Sequence, residues 1–180
     1  MHHQHCSAMK LPEPFADRKK GLVHVIVETP KGSRNKFAFD EQTGFYKLRK
    51  ILPAGTAFPL DFGFIPGTKG EDGDPLDLLV LMEQATYPGC LMECRLIGVI
   101  KAEQLDKGKT KPERNDRLVA VPEVSVDYAQ LGHIEEMGKE RLNDIIHFFK
   151  YYRMMSGGEF NCLGTGDAEE AMNLVKKGLL

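Results

Sequence analysis

The chain has 180 residues, of which 42% are hydrophobic and 28% charged, as is ordinary for one globular domain with a full core. Its formal net charge is −2 at pH 7, so no basic excess is available to neutralise a nucleic-acid backbone. The apolar runs fall short of the roughly 20 residues that a membrane helix needs, and no segment of signal-peptide type begins the chain. We therefore expect one domain, 1–180, in the cytoplasm, with no nucleic-acid or membrane partner. Its N-terminal extension, 1–20, is expected to be partly disordered.

The cysteines and the N-terminal histidines give little evidence for a site. Four cysteines without paired C-x-x-C motifs predict reduced thiols rather than a zinc centre. A soft metal could bind at the N-terminus through His2, His3, His5 and Cys6. A frayed terminus is the simpler interpretation of this segment.

Strands dominate the chain up to about residue 122. The stretch "LVHVIVET" (22–29) is rich in β-branched residues, which are typical of a strand. The runs "KFAF" (36–39) and "GFYKLR" (44–49) predict a hairpin. Because two prolines interrupt "AFPLDFGFIPG" (57–67), we expect an irregular segment that lines a wall there. Further strands are predicted at 76–82, 90–100 and 116–122.

The rest of the chain is predicted to be helical. The stretch "KERLNDIIHFFKYYR" (139–153) has apolar residues at helical spacing. A second helix is predicted within 166–178, because Asp167 followed by Glu170 is a start signal. The glycine-rich stretch 156–167 is interpreted as a connector rather than a mobile flap. Strands followed by helices predict a mainly β fold, a barrel or a sandwich, with helices packed on it.

The stretch "KGEDGDPLDLLVLM" (69–82) places acidic residues directly before an apolar strand. In an extended chain Asp72 and Asp74 point to the same side, and Pro75 can re-aim Asp77. Converging carboxylates repel one another, but their oxygens are the ligands that hard divalent cations prefer. An ordinary acidic turn is the alternative. An EF-hand calcium loop is excluded, because Asp77 stands where that loop requires glycine.

Basic residues elsewhere could bind the anion that such a metal site would serve. Each one alone is most often a solvated surface charge. Combined with an acidic cluster, they suit a site in which metals bridge phosphoryl oxygens and cations neutralise the remaining charge. The candidates are Lys36, Arg49, Lys50, Arg117 and Arg153.

Several segments together resemble a known family, the soluble inorganic pyrophosphatases of the bacterial magnesium-dependent type. The stretch "EDGDPLDLLVL" looks like the family signature, D-x-D-P-x-D followed by an apolar strand. Further matches are "VIVETPKGSRNKF", "FPLDFGFIPGT", "DRLVAVP" and "IIHFFKYYR". The resemblance implies a five-stranded closed OB-like β-barrel with C-terminal helices. It also implies hydrolysis of pyrophosphate to two orthophosphates, several Mg²⁺ ions per site and a homohexamer.

The resemblance also implies roles for individual residues. Asp74 would be the general base that acts on the attacking water. The metal-binding residues would be Asp72, Asp77, Glu28, Asn115, Asp116 and Glu103. The substrate-binding residues would be Lys36, Lys50, Arg117, Tyr152 and Arg153. Core packing within its helix is the alternative role for Tyr152.

Several positions depart from the family's usual pattern. Ala38 replaces an acid, Phe58 and Phe62 replace tyrosines, and Asn115 stands where an acid precedes the phosphate-binding cation. The loop 102–116 is longer than usual, and its Asp-Glu pair has no clear match. The candidates for that pair are Glu103, Gln104 and Asp106. Two alternative functions stay open: a Mg²⁺-dependent phosphohydrolase acting on a nucleotide or polyphosphate, and a non-catalytic barrel that binds phosphate compounds or nucleic acid.

Overall fold

The computed structural model describes residues 10–180. The possible metal site at the N-terminal histidines lies outside the described residues. The described residues form ten strands and two α-helices. The strands are β1 (Phe15–Asp17), β2 (Leu22–Thr29), β3 (Asn35–Asp40), β4 (Phe45–Ile51), β5 (Asp61–Phe64), β6 (Asp77–Val80), β7 (Leu91–Leu105), β8 (Glu113–Arg114), β9 (Arg117–Pro122) and β10 (Glu159–Gly166). The helices are α1 (Lys139–Met154) and α2 (Ala168–Lys177).

Five strands pair in a closed ring, as the resemblance implies. β2 pairs with β5 and β5 with β6, in both cases antiparallel. β6 runs parallel to β9, and β7 pairs antiparallel with both β9 and β2. Because the ring closes, none of these five strands has a row of unpaired backbone groups facing water along its whole length. The prediction of a mainly β fold with C-terminal helices is confirmed.

The core lies on both faces of the ring strands. In β6, Leu78 and Val80 belong to one hydrophobic cluster, whereas Leu79 belongs to the other. Successive side chains of a strand point to opposite faces, so a strand buried on both faces needs a continuous apolar run. Each cluster also contains residues from one helix. The helix residues are Ile145 and Phe149 of α1 and Ala171 and Val175 of α2.

The predicted hairpin and both predicted helices are confirmed. β3 and β4 pair with each other as a separate two-stranded sheet. α2 begins after Asp167, whose side chain accepts a hydrogen bond from the Glu170 amide at 2.8 Å. This contact is the N-terminal cap that the spacing of these two residues predicts.

Two segments differ from the prediction. The segment 57–67 contains the buried strand β5, because its prolines, Pro59 and Pro66, lie outside the four paired residues. The segment 156–167 contains β10, which pairs with the second half of β7, so the interpretation as a connector is wrong for most of its length. In both cases pairing with a distant strand outweighs the local signal of proline and glycine.

Candidate active site

One cavity of about 510 Å³ contains most of the predicted site residues. It lies where the acidic loop before β6 faces the β3–β4 hairpin and the end of α1. The predicted residues that line it are Glu28, Lys36, Asp72, Asp74, Asp77, Asn115, Arg117, Tyr152 and Arg153. Arg49, a candidate cation from the sequence, lines it as well. The fold thus brings the predicted acids and cations together.

The acidic loop is a tight turn that ends in β6. The Gly70 amide donates to the Asp74 carbonyl at 2.7 Å, and the Gly73 amide donates to the Gly70 carbonyl at 3.2 Å. Gly73 has φ +91°, a backbone conformation that disfavours a side chain. The Asp74 amide donates to Asp72 Oδ1 at 3.2 Å. These contacts place three carboxylates of one short segment on the cavity wall.

Glu28 reaches the cavity because β2 is irregular at this residue. The register of β2 against β5 shifts between Val27 and Thr29, so Glu28 is the extra residue of a bulge. Glu28 Oε1 accepts a hydrogen bond from the Phe39 amide at 2.7 Å. Burial raises the pKa of Glu28 to about 7, and the charge of Asp77 adds to this effect. A cation beside Glu28 would restore its ionised form.

Arg117 and Asn115 hold two of the signature carboxylates. Arg117 is 5% exposed, and its guanidinium lies 2.8 Å from Asp77 Oδ2. Asn115 Nδ2 donates to Asp72 Oδ2 at 2.7 Å, and Asn115 Oδ1 accepts from Arg117. Because arginine only donates and a carboxylate only accepts, this orientation of the amide satisfies both neighbours. Burial raises the pKa of Asp72. Among the described residues, Arg117 Nε is buried without a hydrogen-bond partner.

A second part of the wall is aromatic and cationic. Lys36 Nζ lies 5.0 Å from the centre of the Phe62 ring and 5.5 Å from that of Tyr152. Lys50 Nζ lies 4.6 Å from the Tyr152 ring, although Lys50 does not line the cavity itself. Burial lowers the pKa of Lys50, and the charges of Arg153 and Lys36 lower it further. Three cations are therefore grouped around Tyr152, as an anion-binding site requires.

Two predicted metal ligands lie outside the cavity. Glu103 is on β7, and the neighbouring residue Gln104 lines the cavity in its place and accepts from Arg117 at 3.5 Å. Only one of two successive strand residues can face a given side. The Asp116 carboxylate accepts from the Ala102 amide at 2.9 Å and lines a neighbouring pocket instead.

Some lining residues have no counterpart in the predicted set. Glu41 lies in the turn of the β3–β4 hairpin, and Phe149 lies on the buried face of α1. The apolar stripe of α1 is a signal that finds Phe149. A turn acid such as Glu41 carries no distinguishing pattern, because its approach to the cavity depends on how the hairpin folds over the ring.

The donor chemistry of the cavity fits a hard divalent cation such as Mg²⁺. Five carboxylates line the cavity, and oxygen ligands are what this ion prefers. Among residues 10–180, however, no group of three or more His, Cys, Asp or Glu side chains is arranged to hold a metal. In this structure the Asp77 carboxylate pairs with Arg117, and the Asp72 carboxylate accepts from Asn115. A bound cation would share or replace those contacts.

Comparison with known proteins agrees with this arrangement of residues. The sequence profile described as inorganic pyrophosphatase matches residues 25–179. An inorganic pyrophosphatase of Synechocystis sp. is 35% identical over 169 residues, covering 94% of this chain and 96% of the relative. One from Streptomyces coelicolor is 39% identical over 135 residues, covering 75% and 79%. The crystal structure of inorganic pyrophosphatase from Thermus thermophilus has a TM-score of 0.84 at 31% identity, covering 96% of each chain. The chain therefore belongs to the inorganic pyrophosphatase family.

Proposed function

We propose that this protein hydrolyses inorganic pyrophosphate to two orthophosphates with the help of Mg²⁺. One observation carries the proposal: a single cavity combines the three signature carboxylates with Lys36, Arg117 and Arg153. Pyrophosphate is a small, highly charged anion, and a cavity with these two sets of charges suits an anion that arrives with metal ions. Membership of the family supports the same reaction.

The residues of the chain have separate tasks in this proposal. Lys36, Arg117 and Arg153 bind the phosphoryl oxygens and stabilise the charge that grows on the leaving phosphate. Asp74 takes the proton of the attacking water. Because Arg117 already lies among Asp77, Asn115 and Gln104, little movement is needed to present it to the substrate.

Mg²⁺ bound at Asp72, Asp77 and Glu28 would lower the pKa of a bound water and neutralise phosphate charge. Asn115 then serves as the partner that orients Asp72. Glu103 and Asp116 are not included in this proposed set, because they do not line the cavity. Lys50 and Tyr152 support the cation cluster at the end of α1.

Assembly and location are part of the proposal. Several large apolar side chains are exposed, including Phe45 at 72% and Ile51 at 61%, and self-association into a homohexamer would cover such surface. We also propose a cytoplasmic location. None of the helices in residues 10–180 has the length and apolar character that crossing a bilayer demands. Light scattering of the purified protein measures the subunit number.

A comparison of substrates tests the proposed reaction. Purified protein is incubated with Mg²⁺ and pyrophosphate, tripolyphosphate or ATP, and released phosphate is measured. We expect pyrophosphate to be hydrolysed fastest, and we expect chelation of the metal by EDTA to stop turnover. Preference for ATP or tripolyphosphate would favour a phosphohydrolase of different specificity. Absence of turnover on all three substrates would favour a binding protein.

A further inference from the structure

The loop between β7 and β8 carries an acid that the proposed reaction does not use. Asp106 follows directly after β7, and its carboxylate forms an ion pair with the guanidinium of Arg153 near the end of α1. Arg153 lines the cavity, whereas Asp106 does not. The contact therefore connects the β7–β8 loop, residues 106–112, to a cation of the site from outside. The predicted loop 102–116 is thus shorter than expected, because its first four residues belong to β7 and two later ones form β8.

The same loop fixes the position of Asp106. The Lys109 amide donates to the Asp106 carbonyl at 3.0 Å, and Lys109 Nζ lies 3.5 Å from Asp106 Oδ2. Lys109 Nζ also lies 2.8 Å from Glu113 Oε2, at the start of β8. One lysine thus joins both ends of the loop, and Asp106 is held by local contacts that do not involve the cavity.

Arg153 keeps donors available while it is paired. An arginine has five N–H donors, and the contact with Asp106 is made through NH2. Arg153 Nε is buried and has no hydrogen-bond partner among the described residues. The Arg153 side chain is 18% exposed, so it lies largely inside the protein. A buried donor without a partner is unfavourable, and an anion in the cavity would satisfy it.

Without Asp106, repulsion from the neighbouring lysines would push Arg153 away from the cavity. The ammonium groups of Lys36 and Lys50 lie 5.5 Å and 4.6 Å from the ring of Tyr152, the residue directly before Arg153. Burial lowers the pKa of Lys50, and the charges of Arg153 and Lys36 lower it further, so both of these cations repel Lys50. A long arginine side chain can rotate out into water to escape such repulsion. An external carboxylate holds the guanidinium against this repulsion and leaves its remaining donors directed inwards.

We propose that Asp106 is a positioning residue, which holds Arg153 ready to bind a phosphate group of pyrophosphate. This inference depends on the proposed function, because Arg153 is assigned there to the substrate. It gives the β7–β8 loop a role in substrate affinity. Asp106 acts through Arg153 and does not touch the reacting atoms.

The test compares the Asp106 carboxylate with an exposed carboxylate that takes no part in these contacts. Asp106→Asn removes the ion pair with Arg153, whereas Glu123→Gln removes an exposed charge after β9 and leaves that pair and the Lys109 contacts intact. We expect Asp106→Asn to raise KM for pyrophosphate about tenfold and to lower kcat by a smaller factor, because Arg153 binds the substrate and also stabilises the leaving phosphate. We expect Glu123→Gln to leave both values unchanged. Asp106→Glu, which keeps the charge, should restore most of the affinity.

A double variant shows whether the effect passes through Arg153. In an Arg153→Met background, Asp106→Asn should change KM no further, since its partner is already absent. An unchanged or lower KM in Asp106→Asn would overturn the proposal, and a lower one would mean that the acid competes with phosphate. Thermal unfolding of each variant reports general damage to the fold.

If the wild type does not hydrolyse pyrophosphate, the proposed function fails, and calorimetric titration with pyrophosphate then tests Asp106 separately. Equal binding by wild type and Asp106→Asn would overturn the role of Asp106 as well.

Discussion

At the scale of single residues, Asn115 has the most informative position in the site. Its amide donates to Asp72, and its carbonyl oxygen accepts from Arg117. An amide carries both a donor and an acceptor, so Asn115 satisfies both neighbours while remaining uncharged. A carboxylate in its place would keep the contact with Arg117 but would repel Asp72. Asn115 therefore stabilises the acidic loop in the absence of metal.

This reasoning predicts opposite effects of Asn115→Asp on stability and on metal affinity. Without metal, the free energy of unfolding should fall by about 1–3 kcal/mol, because a hydrogen bond to a charged group is replaced by repulsion. Affinity for Mg²⁺ should rise about tenfold, because the added carboxylate can serve as a ligand or orient one. Urea unfolding in EDTA and calorimetric titration with Mg²⁺ measure the two effects.

The matched control for this change is Asn161→Asp, which adds the same charge at an exposed position of β10. It should leave both quantities close to the wild-type values. Equal or weaker Mg²⁺ affinity in Asn115→Asp would contradict the assignment of this region to metal binding.

At the scale of elements, the contact between β2 and β5 depends on Gly63. A Cβ atom on this residue would lie 2.2 Å from the Ile26 carbonyl oxygen, so the two strands could not keep their present separation. The bulge that directs Glu28 into the cavity lies in the same register of these strands. Glycine at position 63 is therefore needed both for the close pairing of β2 with β5 and for the position of Glu28 in the cavity.

We expect Gly63→Ala to lower the free energy of unfolding by about 1–3 kcal/mol, the range for an overpacked core, and to weaken Mg²⁺ binding through Glu28. Urea unfolding and metal titration measure these effects. Gly132→Ala is the control, because the nearest atom to its added Cβ is at 4.0 Å and belongs to a flexible side chain, that of Glu136. Equal stability of the two variants would contradict this description of the β2–β5 contact.

The turn after β9 depends on a carboxylate from a different segment. Glu83 Oε1 accepts from the amides of Asp127 at 2.8 Å and Val126 at 2.7 Å, and from Ser125 Oγ at 2.8 Å. The hydrogen bond from the Asp127 amide is the largest of the contributions that lower the pKa of Glu83 from 4.5 to about 2. The carboxylate form thus stabilises the folded chain.

This contribution is complete above pH 4.5 and is lost as the pH falls towards 2, where the folded state also takes up the proton. Glu83→Gln should therefore be less stable than the wild type at pH 7, and the difference should shrink as the pH is lowered below 4.5. Urea unfolding at a series of pH values measures it. A difference that stays constant over this range would contradict the role of the charge. Glu123→Gln, a change at an exposed neighbouring acid, is the control.

Strands β5 and β10, which the sequence did not predict, show that local sequence patterns do not identify strands formed by long-range pairing. β5 and β10 contain glycine and follow proline-rich or glycine-rich stretches, so their composition indicates loops. Both are strands because they pair with partners distant in the chain, β2 and β6 for β5 and β7 for β10. Propensity within a short window contains no information about such partners.

At the scale of the whole molecule, the sequence and its resemblance to a known family were sufficient to predict the closed five-stranded ring, the two helices and the acidic signature. These features depend on runs of residues whose pattern is clear and whose segments match a known family. The choice between Glu103 and Gln104 as the residue that lines the cavity required the structure, because it depends on the register of β7. The contact of Asp106 with Arg153 required it as well, because it depends on the path of the loop after β7. The packing of α1 on the ring brings residues as distant as Glu28 and Arg153 to one cavity.

The central claim is that this cavity hydrolyses pyrophosphate with Asp74 as the base. Phosphate release from pyrophosphate in Mg²⁺ by wild type, Asp74→Asn and Glu71→Gln, measured side by side, tests it most directly. Glu71 is the control because it lies next to the signature, pairs with Lys177 at 3.4 Å and does not line the cavity. We predict turnover by the wild type and Glu71→Gln, and a loss of roughly 10²-fold or more in Asp74→Asn. A wild type without pyrophosphate turnover, or an Asp74→Asn variant with nearly full activity, would contradict the account.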